Sequence, residues 1–254
     1  MGPIELVRNE LLASRHAGRP PQVPPVLLLG GPGIGKTHFA SALAATLEAP
    51  IHRLNFDAPL SASVLIDLDR QWSNSRSGLL FDAICRGDTA NPIVLLDELD
   101  KARVLSGDDP LAPLHTLLER STARAVRDIS TEFVFDAAHT VWIATANYPM
   151  LIPTTIRSRF VEFLISPATP AQAIDVTAAV AAAAIAASAP TGFEALDRRL
   201  VVALAHCTPR EVSKAVTAAI CRAVVNERFC IKREDFPPDV FAEDPNNAPE
   251  VWLH

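Results

Sequence analysis

Eight consecutive residues, Gly30-Gly31-Pro32-Gly33-Ile34-Gly35-Lys36-Thr37, follow the spacing GxxxxGK[ST]. Four of the ten glycines in the whole sequence fall within six positions of this stretch. Glycine lets a backbone wrap closely around a small anion, so that successive N–H groups point inward. The apolar run Val26–Leu29 precedes the loop and a helix-compatible stretch, Thr37–Leu47, follows it. The start of that helix adds a partial positive charge where the anion would sit. In this setting Gly30, Gly31, Pro32, Gly33, Ile34 and Gly35 form a phosphate cradle. Lys36 is placed to neutralise the outer phosphates of ATP, and the Thr37 hydroxyl to ligate Mg2+. The competing reading is a plain flexible turn, which would not require a strand before the loop and a helix after it.

A second chemical cluster ends the run Asn91-Pro92-Ile93-Val94-Leu95-Leu96-Asp97-Glu98-Leu99-Asp100-Lys101. A buried strand here delivers carboxylates at its carboxyl end. Asp97 fits the magnesium shell, and Glu98 fits a base that orients and deprotonates an attacking water. A nucleotide-dependent kinase needs the metal carboxylate but no water-activating neighbour, so the paired acids favour hydrolysis. The plain alternative is a solvated acidic loop after a core strand. The expected arrangement is a glycine-wrapped triphosphate facing two acids from the adjacent strand.

These residues need a scaffold, and the apolar pattern supplies one. Five compact apolar runs occur at Val26–Leu29, Ile51–Phe56, Ile93–Leu96, Thr140–Ala144 and Val161–Ile165. Stretches long enough for helices lie between them, including Thr37–Leu47 and Gly78–Arg86. Strands alternating with helices predict an α/β fold, a five-stranded parallel sheet sandwiched by helices. Ligands in such sheets gather at the carboxyl ends of the strands, where the polar residues fall here. Glu5–His16 reads as a short amphipathic helix, followed by the Pro-rich linker Gly18–Pro25. Beyond Pro167 the pattern turns helical, with segments at Thr169–Ala187, Gly192–His206 and Thr208–Asn226. Thr208, Pro209 and Glu211 have the spacing of a capped helix start. The domains expected are an α/β unit over 1–166, an all-helical unit over 167–236 and an extended tail over 237–254.

Bulk properties exclude several classes. With 49% apolar and 20% charged residues, the chain is an ordinary globular protein rather than a disordered one. A net charge of -6 gives no sign of a general nucleic-acid binder. Cys85, Cys207, Cys221 and Cys230 have no metal or disulfide spacing and read as thiols in a reducing compartment, so a cytoplasmic setting is expected. The start, Met1–Glu10, is not built like a secretory signal. The alanine-rich run Val176–Ala189 reads as a packed helix rather than a membrane span.

The combination resembles the AAA+ ATPases, and among them the ATPase module of Lon proteases, over about residues 4 to 230. Asn91–Lys101 (NPIVLLDELDK) is similar to Lon's NPLLLIDEVDK pattern. Ile143-Ala144-Thr145-Ala146-Asn147, then Ile152-Pro153, then Arg157-Ser158-Arg159-Phe160, resemble its TAN…IP…RDRM run. The resemblance implies a P-loop NTPase domain with a small helical AAA+ lid. It implies that Asn147 is a polar sensor helping Glu98 to position water, and that Arg159, with Arg157 as the alternative, reaches a neighbouring subunit's ATP. Arg210 stands where the family carries a second sensor, although Thr208 replaces the usual glycine two residues earlier. Trp72 lies where Lon carries an aromatic pore loop that grips a threaded polypeptide, here as Trp-Ser. Without the resemblance, Asn147 is a turn residue, Arg159 a surface ion-pair partner and Arg210 a solvated first-turn cation.

The chain ends just past the helical unit, leaving no room for Lon's serine–lysine peptidase domain, so no peptidase activity is expected from it. The implied function is magnesium-dependent ATP hydrolysis by a homo-oligomeric, hexameric ring that remodels or threads a protein. A nucleotide-gated assembly scaffold with little hydrolysis is the alternative, and a P-loop small-molecule kinase a weaker third. General nucleic-acid binding and membrane association are not expected.

Overall fold

A computed structural model describes residues 2–66, 77–104 and 108–241. The chain divides into two compact units, Met1–Ile165 and Ser166–His254. Helix α1 spans Pro3–His16, with proline in its first turn and Glu5 bonded back to the Gly2 N–H at 2.9 Å. Strand β1 (Val26–Leu29) leads through the glycine loop into α2 (Lys36–Thr46), and β2 covers Ile51–Asn55. After the short α3 (Leu79–Phe81), which widens into one π-type turn over Asp82–Arg86, comes β3 (Ile93–Asp97). Two single-turn helices, α4 (Leu114–Leu117) and α5 (Arg120–Ala123), precede a small antiparallel pair, β4 (Val126–Arg127) and β5 (Val134–Phe135). Strand β6 (Val141–Ala146), helix α6 (Thr154–Arg157) and strand β7 (Val161–Leu164) complete the unit.

The main sheet has the order β2-β3-β6-β1-β7, and every pairing is parallel. All residues of β1, β3 and β6 are buried, whereas β2 and β7 are largely exposed. This explains the order. Strands apolar on both faces must lie inside the sheet, and strands with polar alternation can take its edges. One consequence corrects the sequence-based picture. The acidic strand β3 does not adjoin the loop strand β1, because the six buried residues of β6 place that strand between them. Leu27, Leu29, Val94, Leu96, Trp142 and Ala144 fill the core on one face. Val26, Leu28, Ile93, Leu95, Val141 and Ile143 fill the other, with Ala40 and Ala44 of α2. Truncating a fully buried leucine such as Leu95 in such a layer costs about 2–5 kcal/mol.

The second unit contains α7 (Pro170–Ser188), α8 (Arg198–Ala203) and α9 (Pro209–Val225). The cap expected at Thr208 forms: its N–H and hydroxyl each donate to Glu211 Oε2 at 2.8 Å. Helix α9 buries Val212, Val216, Ala219, Ile220 and Ala223, one face at helical spacing. Helix α8 is shorter than the expected Gly192–His206. Asp197 caps Arg199 N at 2.7 Å, Gly192 takes a left-handed φ of 87°, and Glu194 N donates to Phe229 O. Among the described residues α7 is one helix long and apolar enough to cross a membrane by length and composition; its Thr177, Ala181 and Ala184 are buried. The first part of the expected tail is not extended surface chain. Pro238–Phe241 forms a short turn, and Phe241 is buried edge-on against Phe236 at 5.5 Å. The aromatic ring overrides the polar composition around it. Residues 242–254 and Trp72 lie outside the described residues.

Candidate active site

The glycine loop holds a backbone that side chains would obstruct. Gly30, Gly33 and Gly35 have φ of 154°, 77° and 96°. A Cβ on Gly30 would stand 2.7 Å from Ile165 O and 2.4 Å from Ile34 Cδ1. Gly35 is the N-cap of α2, so the loop opens directly onto the free N–H groups of a helix start.

Lys36 is 9% exposed, and its ammonium is fully engaged. It donates at 2.8 Å to Gly30 O, to Gly31 O and to Asn147 Oδ1. Burial lowers its pKa below the ordinary 10.5, while Asp100, Asp97 and Glu98 each pull it back upward. The charges of three carboxylates thus act on the lysine that the loop presents. Beside it, Thr37 Oγ1 donates to Asp97 at 3.0 and 3.2 Å to its two oxygens. Asp97 is 1% exposed and is further held by Thr145 Oγ1 at 2.5 Å and by Arg53 Nη2 at 2.5 Å.

Glu98 stands in the left-handed region at φ 58°, a conformation that costs a non-glycine residue about 1 kcal/mol. Its N–H donates to Thr145 Oγ1 at 2.9 Å, so one hydroxyl ties both acids to β6. The chain then enters a single 3-10 turn, Leu99–Lys101. Buried Asp100 uses Oδ2 to accept the N–H groups of Asn147 at 3.0 Å and Tyr148 at 2.9 Å. The inserted strand β6 therefore sets Asn147 between the loop lysine and the acidic turn.

The structure brings together Gly30–Thr37, Asp97, Glu98 and Asn147. The arginines lie elsewhere in their contacts. Arg157 makes a two-pronged pair with Glu162, at 2.5 and 2.8 Å. Arg159 donates to the Thr155 carbonyl, and among the described residues its buried Nε has no partner. Arg210, in the second unit, is exposed in the first turn of α9. Sequence reasoning alone does not single out Arg53, Thr145, Asp100 or Lys101, whose contacts here are long-range. The acid spacing Asp97-Glu98-Asp100 is the sequence hint for Asp100, and Thr145 lies inside the TAN-like run.

A model of the ATPase family associated with various cellular activities (AAA) matches residues 26–168. This chain is a member of the AAA family. The AAA module is 29% identical over 168 residues to a Lon protease of Helicobacter pylori strain J99, covering 64% of this chain and 20% of that protein. It is 31% identical over 150 residues to the peroxisomal Lon protease homolog 2 of Arabidopsis thaliana, covering 59% and 17%. The chain spans about a fifth of the length of these curated relatives. Among solved structures, the RuvB Holliday junction branch migration motor of Thermotoga maritima superposes with a TM-score of 0.57. That match covers 92% of this chain and 65% of the other, at 16% identity, and it shows a shared fold.

The residues present fit a magnesium–nucleotide pair. Among the described residues no group of three or more His, Cys, Asp or Glu forms a self-contained metal cage. A hydroxyl and one carboxylate, Thr37 and Asp97, are the partial donor set that magnesium takes when phosphate oxygens and waters complete its shell.

Proposed function

We propose that the AAA module hydrolyses ATP with magnesium, as a subunit of a homo-oligomeric ring, hexameric on the Lon resemblance, that remodels or threads a protein substrate. One observation carries the hydrolytic reading: residues far apart in sequence converge on the glycine loop through direct hydrogen bonds. Lys36 meets Asn147 from 111 positions away, and Thr37 meets Asp97 from 60. The loop N–H groups and Lys36 would bind the triphosphate. Thr37 and Asp97 would hold the ion, which would supply charge neutralisation to the phosphates. Glu98 would take a proton from the attacking water, and Asn147 would orient it. Arg159 would act on a neighbouring subunit's phosphate, Arg210 would report from the lid, and Trp72 would grip the substrate.

Two substitutions test the core of this. Glu98→Gln is expected to keep nucleotide affinity while turnover falls about 10²–10⁴-fold, the typical worth of a positioned base. Lys36→Ala is expected to weaken binding itself, measured by titration with a fluorescent ATP analogue. Chelating magnesium should stop phosphate release. Wild-type turnover in Glu98→Gln would remove Glu98 from the role of base.

A further inference from the structure

The exposed ammonium of Lys101 bridges two carboxylates carried by different parts of the sheet. Its Nζ donates to Glu98 Oε2 at 3.0 Å and to Asp57 Oδ1 at 2.9 Å. The Glu98–Lys101 pair alone could be a by-product of i,i+3 spacing within one turn. Asp57 makes it more than local, because it follows β2 and is itself fixed. Its N–H donates to Asn55 Oδ1 at 3.1 Å, and the N–H of neighbouring Phe56 donates to Asp97 O at 3.0 Å. The three side chains are 38%, 34% and 57% exposed for Lys101, Glu98 and Asp57. Ion pairs this wet contribute little to stability, so the arrangement calls for another consequence.

That consequence is geometric. A glutamate side chain has three rotatable bonds and, when exposed, samples several rotamers. Here one carboxylate oxygen is pinned, and among the described residues no protein donor reaches the other, Oε1. The hydrogen bonds to Asp57 and Glu98 hold the Lys101 pKa above the ordinary 10.5, so the clamp stays charged. We propose that Lys101 is a positioning residue: it fastens Glu98 Oε2 against Asp57 and leaves Oε1 to accept the proton of the attacking water. The inference rests on Glu98 being the base.

The test uses steady-state ATP hydrolysis by the full chain. Lys101→Met is expected to lower kcat about 10–100-fold, as loss of orientation does, with KM for ATP and the denaturation midpoint essentially unchanged. Lys101→Arg keeps a bridging cation and should recover most of the loss. Asp57→Asn should cost less alone and add almost nothing on top of Lys101→Met, because both break the same bridge. Turnover in Lys101→Met at or above the wild-type rate overturns the proposal, as does full additivity with Asp57→Asn. A dead Glu98→Gln beside a fully active Lys101→Met removes this inference alone. A fully active Glu98→Gln removes the base assignment and this inference with it.

Discussion

Thr145 has one hydroxyl and uses both of its hydrogen-bonding capacities on the acids of the site. It donates to Asp97 Oδ1 and accepts from the Glu98 N–H. Valine has nearly the same shape and neither capacity. Hydrogen bonds to charged groups are worth about 1.5–3 kcal/mol. Each 1.36 kcal/mol is about tenfold in rate. Thr145→Val is therefore expected to lower kcat about 10–100-fold, while nucleotide affinity measured without magnesium is retained, since Lys36 and the glycine loop are untouched. Equal kcat in the variant would show that the acidic turn keeps its position without β6. The contrast between Thr145 and Lys36 also marks where sequence reading reaches. The chemistry of Gly30–Thr37 is local: a contiguous backbone conformation followed by two side chains, so spacing alone discloses it. The value of Thr145, Asp100 and Lys101 comes from partners 47, 47 and 44 residues away. Single-chain patterns carry no signal of such pairings.

At the scale of elements, legibility follows the length and apolar content of the run. Strands β1 and β3 and most of β6 stand out because the central strands of a parallel sheet are apolar on both faces, and α9 because its cap and apolar stripe agree. The exposed edge strands β2 and β7 are legible as well, as compact apolar-rich runs, so burial is not the whole of it. The two-residue strands β4 and β5 are too short to show a period, and they depend on Asp128. That carboxylate, fully buried, accepts from Gly78 N at 2.9 Å, Ser130 Oγ at 2.9 Å, Thr131 N at 3.1 Å and Thr131 Oγ1 at 3.0 Å. Burial alone would raise its pKa, yet these bonds outweigh burial and hold it below the ordinary 3.8. A depressed folded-state pKa contributes stability that is present above the unfolded value and lost as pH falls through the folded one. Asp128→Asn turns an amide donor toward donors already in place. It is expected to cost about 2–3 kcal/mol near neutral pH. The gap from wild type should narrow as pH drops below about 4. Urea unfolding across that range is the measurement, and a gap that stays constant with pH would mean that the charge on Asp128 is not what holds the turn.

For the whole molecule the question is what the two arginines near β7 do. Arg157 spends its planar fork on Glu162 within its own chain, and that pair holds Arg157 above and Glu162 below their ordinary pKa values. Arg159 bonds a backbone carbonyl, that of Thr155, and among the described residues no group satisfies its buried Nε. Between the two, Arg159 is the guanidinium with donors left for a phosphate. If it serves a neighbouring subunit, catalysis becomes a property of the assembly, and complementation can expose this. Glu98→Gln subunits have a dead site but an intact Arg159; Arg159→Ala subunits have a sound site but no arginine to lend. Each alone should be nearly inactive, because an arginine supplied in trans is worth about 10³–10⁵ in rate. Mixed, the two should hydrolyse ATP well above the sum of the parts, and wild-type turnover per subunit should climb with protein concentration. Arg157→Ala should leave most activity in place. A mixture no better than its components, with wild-type turnover independent of concentration, would confine the chemistry to one chain. Arg159 would then be a local anchor of the segment between α6 and β7.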